Sequence, residues 1–143
     1  MKLLNYALGL LFTLGMLSCG SSSSDSDSTP PEIKFTNLST VEADPTPITK
    51  DSFEIVIKLS DDEDLKSVSF DAPKEKSVQE FLPILSAALE AKASTGLTGL
   101  TKEIKIPLVN LSIVTPSKYE ITCNVTDASG NPAKNTAYFE IKK

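Results

Sequence analysis

The chain contains no histidine, no tryptophan and no arginine, so all 14 of its basic residues are lysine. Each absence excludes something. Without histidine there is no side chain whose ordinary pKa puts proton transfer near neutrality, and the commonest metal ligand is missing. Without arginine there is no planar fork to clamp a carboxylate or phosphate. Nineteen acidic residues give a net charge of −5. Such a chain is a poor nucleic-acid binder, because phosphate neutralisation needs clustered cations. The lack of tryptophan, with only 3 tyrosines, leaves little aromatic surface for a sugar ring to stack on. No glycine-rich phosphate loop and no Cys/His metal spacing occurs. Catalysis needs a tuned acid, base or nucleophile. The expectation is a non-catalytic protein with no cofactor.

What is present starts at the N-terminus. Lys2 precedes an apolar run from Leu3 to Leu17, interrupted by Asn5, Tyr6 and Thr13. A membrane-spanning helix needs about 20 apolar residues, and this shorter run suits a secretory signal. It closes on Met16-Leu17-Ser18-Cys19-Gly20. That stretch resembles the lipobox of bacterial lipoproteins, with Met where the family prefers Leu and small Ser18 directly before the cysteine. The resemblance implies lipid transfer to the Cys19 sulfur, cleavage after residue 18 and acylation (palmitate) of the freed amine. An ordinary signal peptide with an incidental cysteine is the other reading. Two or more acyl chains make a durable anchor where one is marginal. Removal of residues 1–18 takes Lys2 and leaves 125 residues at net charge −6. With Cys19 lipidated, Cys123 stands alone and no internal disulfide is possible, so the exported domain must rely on its core.

Residues 19–31 comprise Cys19 and a Ser/Asp/Pro tract, GSSSSDSDSTPP, with no aliphatic or aromatic side chain. Such a tract is expected to be a disordered linker. Its Ser/Asp character after the cysteine also resembles the acidic export signals of Bacteroidetes-type surface lipoproteins.

From residue 32 onward the pattern alternates with period two, the signature of half-buried strands. Ile33 to Leu38 reads as a first strand. Glu42 to Lys50, with Pro45 and Pro47, reads as a loop. Phe53, Ile55, Ile57 and Leu59 alternate with Glu54, Val56, Lys58 and Ser60. The acidic turn Asp61-Asp62-Glu63-Asp64 leads into Leu65 to Phe70. Ser77 to Lys92 breaks the pattern: Val78, Phe81, Leu82, Leu85 and Leu89 fall at helical spacing behind a Ser77–Glu80 capping box. Pro83 either kinks that helix or begins it. Lys102 to Val109, Lys118 to Thr126 and Asn135 to Lys142 are further strands. Cys123 falls on the apolar face of its strand and reads as a small buried hydrophobe.

The segment Tyr119-Glu120-Ile121-Thr122-Cys123-Asn124-Val125-Thr126-Asp127-Ala128-Ser129-Gly130-Asn131 looks like the final hairpin of bacterial Ig-like domains. Tyr119 stands where those domains tie a tyrosine hydroxyl back to the backbone. With the acidic turn, the chain is similar to Bacteroidetes-type lipoproteins that carry a single Ig-like (cadherin-like) domain of unknown function. The resemblance implies an all-β fold: an Ig-like β-sandwich of about six to seven strands over residues 32–143, with one helical insertion at about 77–92. It covers residues 32–71 and 102–143 and names no catalytic residues.

In such a sandwich Glu32, Asp61, Asp62, Asp64 and Asp127 converge on the pole where the linker enters. A solvated acidic turn explains them, and no metal ligand is assigned. The alternative is a Ca²⁺-binding cadherin-like module through the Asp61–Asp64/Asp127 pole, since hard oxygens suit that ion. The functional expectation is a lipid-anchored outer-membrane or cell-surface lipoprotein displaying a binding or adhesion module. Its partners would be the membrane, through lipid on Cys19, and an extracellular glycan or protein. The second expectation is a periplasmic-facing structural subunit of an envelope complex. A binding surface is expected at the opposite pole, which would carry the 39–51 loop, the 110–117 loop and one end of the helical insertion.

Overall fold

The computed structural model describes residues 27–71 and 97–143. The expected signal segment, Cys19 and the helix expected at about 77–92 lie outside the described residues. Seven strands form among those described: β1 (Glu32–Phe35), β2 (Thr46–Ile48), β3 (Phe53–Ser60), β4 (Leu65–Asp71), β5 (Thr101–Leu108), β6 (Ser117–Asp127) and β7 (Pro132–Ile141). They make two sheets, ordered β1-β3-β5 and β2-β7-β6-β4. Every pairing is antiparallel except β2 with β7. Over the described residues the fold is an all-β sandwich.

Alternation decides the inward face. Ile55, Ile57 and Leu59 of β3 are buried, as are Ile104, Ile106 and Leu108 of β5. From the second sheet, Tyr119, Ile121, Cys123 and Val125 of β6 meet Ala137, Phe139 and Ile141 of β7 in the same core. Each fully buried Ile, Leu or Phe is worth about 1.5–3 kcal/mol over its exposed state. The Tyr119 and Phe139 rings stack with centroids 5.5 Å apart.

Three local features depart from the sequence expectation. The stretch 42–50 is not wholly a loop, because Thr46–Ile48 pairs with Phe139–Ile141 as a short edge strand. Pro47 is tolerated there since an edge strand leaves alternate N–H positions without a ladder partner. In β4 the register shifts between Leu65 and Ser67. That bulge lets Leu65 and Val68, three residues apart, both point inward. The expected linker through Pro31 does not stay free of the domain: Pro31 is buried and Asp27 is half-buried.

The chain passes from one sheet to the other after β1. Asn37 makes the crossing possible by acting as a substitute peptide. Its Nδ2 donates to the Glu54 carbonyl (2.6 Å) and its Oδ1 accepts the Val56 N–H (3.0 Å). Ser39 then bridges to Tyr138 on the second sheet. Because β6 is 11 residues long, its two ends lie roughly 35 Å apart, and they define the two poles of the domain.

Candidate functional site

One pole is built where β6 ends and β7 begins. Asp127 is the last residue of β6 and continues its inward parity, so its side chain points into the sandwich and is 0% exposed. It organises the turn that follows. The Asn131 N–H donates to Asp127 Oδ1 and Asn131 Nδ2 to Asp127 Oδ2, each at 2.8 Å. Gly130 supplies the positive φ of +94° that the turn needs. Burial pushes the Asp127 pKa up, but the Asn131 side chain and the backbone N–H groups of Asn131, Gly130 and Ser129 outweigh it. The group stays below the usual carboxylate range.

The β3–β4 turn packs beside it. Its backbone is pinned by three bonds: the Asp61 N–H to the Leu100 carbonyl (2.9 Å), the Leu65 N–H to the Gly99 carbonyl (3.1 Å) and the Ala128 N–H to the Asp64 carbonyl (2.7 Å). Ser129 Oγ donates to Glu63 Oε2 at 2.6 Å. Asp61 Oδ1 accepts the Asp62 N–H (2.9 Å). Asp61 Oδ2 is shut off from solvent with no hydrogen-bond partner among the described residues. Burial raises the Asp61 pKa; the Asp62 N–H opposes this, and the charges of Asp127 and Asp62 add to the rise.

Of the five acids expected to converge, only Asp61 and Asp127 come together. Asp62 and Asp64 are exposed, and Asp64 contributes its carbonyl to the turn. Glu32 lies further out, where Ser60 Oγ donates to it at 3.4 Å. The third member is Asp27, which the sequence reading assigned to the linker. One oxygen from each of Asp27, Asp61 and Asp127 lies within 4.8 Å of the others. Asn131 Nδ2 holds Asp27 by its carbonyl (3.0 Å) and its Oδ2 (3.4 Å). The signal available for Asp27 was its place ahead of Thr29: the Thr29 N–H folds back onto Asp27 Oδ1 at 2.8 Å, an Asx turn.

The opposite pole is a braced tip. The Asp51 carbonyl accepts the Leu111 N–H (2.9 Å) and Asp51 Oδ1 accepts the Ser112 N–H (2.7 Å). These bonds cap a single 3-10 turn at Leu111–Ile113. Hydrogen bonding from Ser112 holds the Asp51 carboxyl below its ordinary value. Asn110 enters the turn in the left-handed region, with φ 57°, which asparagine tolerates. Leu111 and Val114 are buried beneath, while Ile113 is 70% and Val109 50% exposed. The Tyr119 hydroxyl donates to the Thr115 carbonyl at 2.7 Å. A depression of about 290 Å³ beside the turn includes Lys50, Lys142 and Lys143 in its wall.

Between the poles, Cys123 is fully buried and burial pushes its thiol up to about 12, so it is inert as a nucleophile at neutral pH. The outer face of β1-β3-β5 is a solvated lattice of exposed Lys–Glu pairs, Lys58–Glu103 (3.9 Å) and Lys105–Glu54 (3.7 Å) among them. Such pairs are worth about 0–1 kcal/mol each. Among the described residues no helix is long and apolar enough to cross a membrane.

No protein-family model matches the chain, and no curated protein matches it. Among solved structures it is similar to a mutant of the SrpA adhesin from Streptococcus sanguinis, with 19% identity and a TM-score of 0.47. The match covers 81% of this chain and 59% of the adhesin's.

Proposed function

We propose that this chain is a lipid-anchored, cell-surface lipoprotein whose Ig-like sandwich displays a non-catalytic binding module. The contact surface is the tip formed by residues 109–117. The observation that carries this reading is the tip itself. Two apolar side chains, Val109 and Ile113, stand in solvent on a backbone braced by Asp51, at the end of β6 remote from Asp27. A pre-organised loop presenting apolar groups loses little entropy on association. Three features support the Ig-like assignment: the strand order, the parallel β2 edge and the tie from Tyr119 to Thr115. The lipobox-like stretch supports the anchor. Asp27 lies eight positions after Cys19, a reach of at most about 28 Å. With the length of β6 added, the tip stands up to about 60 Å from the lipid.

The test has two arms. Antibody labelling and protease shaving of intact cells should reach the domain. Protection until the outer membrane is opened would instead favour the periplasmic subunit. In glycan-array and envelope pull-down series, a Val109→Ser/Ile113→Ser variant displayed at the same level should lose the wild-type captures. Equal capture by both proteins would remove the tip from the reading.

A further inference from the structure

Lysine is matched in one part of the molecule and unmatched in another. Along the β3–β5 ladder Lys58 pairs with Glu103, and Lys105 with Glu54 and Glu103. At the distal tip Lys50, Lys118, Lys142 and Lys143 are all exposed, and the acids beside them are Asp51 and Glu140. Lys142 engages Glu140 at 3.0 Å, and Lys118 stands opposite the same glutamate in the β6–β7 register. Asp51 Oδ1 accepts the Ser112 N–H. Lys50, Lys118 and Lys143 belong to none of the four ion pairs among the described residues. The acidic turn 61–64 and Asp127 lie at the other end of β6. That separation of about 35 Å is roughly four Debye lengths at physiological salt, so the acidic end does not cancel the field at the tip. A chain of net charge −5 therefore carries unmatched lysines at the end where Val109 and Ile113 stand in solvent.

We infer that the partner of the tip is an acidic protein surface: apolar side chains meet Val109 and Ile113, and carboxylates beside them reach Lys50 and Lys143. This inference rests on the proposed binding role of the tip and names the chemistry of what binds there. Each part of the surface narrows the choice. The depression of about 290 Å³ walled by Lys50, Lys142 and Lys143 lies beside the projecting turn at Leu111–Ile113. A concave basic wall beside a convex apolar turn suits a protein relief, whereas a lipid surface is flat. Val109 and Ile113 are aliphatic, and the chain has no tryptophan to stack on a sugar ring. The lysines are too few, and without arginine, for a nucleic-acid backbone. The charge polarity also orients approach. An acidic partner is drawn to the tip and repelled by the 61–64 end, so rim lysines act mainly on the association rate.

The test selects a phage library of random peptides on the immobilised full-length chain. Recovered sequences are made as synthetic peptides and measured against wild type, Val109→Ser/Ile113→Ser and Lys50→Glu/Lys143→Glu. Vesicles containing anionic lipid and a sulfated polysaccharide are measured alongside. Peptides that lose binding to the Val109→Ser/Ile113→Ser variant should carry net negative charge and at least one aliphatic or aromatic residue. Their affinity for wild type should fall about tenfold between about 50 and about 300 mM NaCl. The lysine reversal, at exposed positions that leave Tm unchanged, should weaken them about tenfold, mostly through slower association. A Lys58→Glu control on the β3–β5 ladder should leave them unaffected. Tip-dependent peptides that are neutral or basic, or that bind the lysine reversal as well as wild type, would overturn the acidic partner and leave the tip as the binding surface. Recovery of no tip-dependent peptide, with tip-dependent capture of vesicles or polysaccharide, would overturn a protein as the occupant. Recovery of none, with no tip-dependent capture of either probe, would overturn the tip reading and this inference with it.

Discussion

At each pole an aspartate carboxylate accepts the N–H groups of a turn. Asp51 holds Ser112 at the tip, and Asp127 holds Asn131 at the end where the N-terminal tract meets the sandwich. The local chemistry is the same and the surroundings are opposite. Asp51 is exposed, and the depression beside it also includes Lys50, Lys142 and Lys143. Asp127 is buried beside Asp61 and Asp27, with no lysine paired to any of them among the described residues. The difference shows that the same turn-capping aspartate can stand in solvent or in the core, according to what is packed around it. It also separates the roles of the two ends. The tip offers apolar side chains to solvent, and the opposite end gathers carboxylates around Asp27.

The largest expected effect tests whether burial matters. Asp127→Ala strips partners from the Asn131 N–H and side chain in a place water reaches poorly, and should lower Tm by roughly 10 °C. Asp51→Ala frees an N–H at an exposed turn and should cost roughly 3 °C. Equal losses in thermal melts would break the contrast between the poles.

The next effect is its pH dependence. Asp127 and Asp51 are held below the ordinary carboxylate value of 3.8. Their contribution is present above that value and is lost as pH falls through the lowered one. Asp61 is raised, so it stabilises while protonated, and that contribution is lost as pH rises through its elevated value. In metal-free buffer, Asp61→Asn should therefore be more stable than wild type at pH 7, with the gap closing toward pH 4 in urea melts. A gap that widens toward acid would reverse the sign.

Smaller effects belong to the tip. Tyr119→Phe removes the bond to the Thr115 carbonyl and should cost about 1 kcal/mol, seen as faster hydrogen exchange confined to residues 111–117. Ile113→Ser, at a 70% exposed position, should change stability by no more than about 0.5 kcal/mol. Its consequence should appear only in binding, which is what separates a display residue from a packing one.

Much of the sandwich was legible in advance because period-two alternation is a local property. Ile55, Ile57 and Leu59 announce their face from five residues of sequence, and Cys123 is placed among Ile121 and Val125 by the same parity. The β2 edge was hidden because Pro45 and Pro47 carry a loop signature, and a three-residue strand exists only through its partner β7. The bulge in β4 was hidden because inserting one residue changes parity without changing composition. Asp61 and Asp127 were named beforehand as members of an acidic pole. Asp27 was not, since its surroundings in sequence are Ser and Asp with nothing to bury.

Alternation and turn chemistry, both readable from the sequence alone, determined the strands β3, β5, β6 and β7, the buried thiol and the acidic and glycine-bearing turns. Only the tertiary structure decided that Asp27 meets Asn131 across 104 residues, that Asp61 is left with an enclosed oxygen and that Val109 and Ile113 are braced outward. The reason is physical. Side-chain parity follows from the chain's own geometry, whereas the meeting of distant carboxylates depends on strand register and hairpin closure, and neither is specified until the sheets pack.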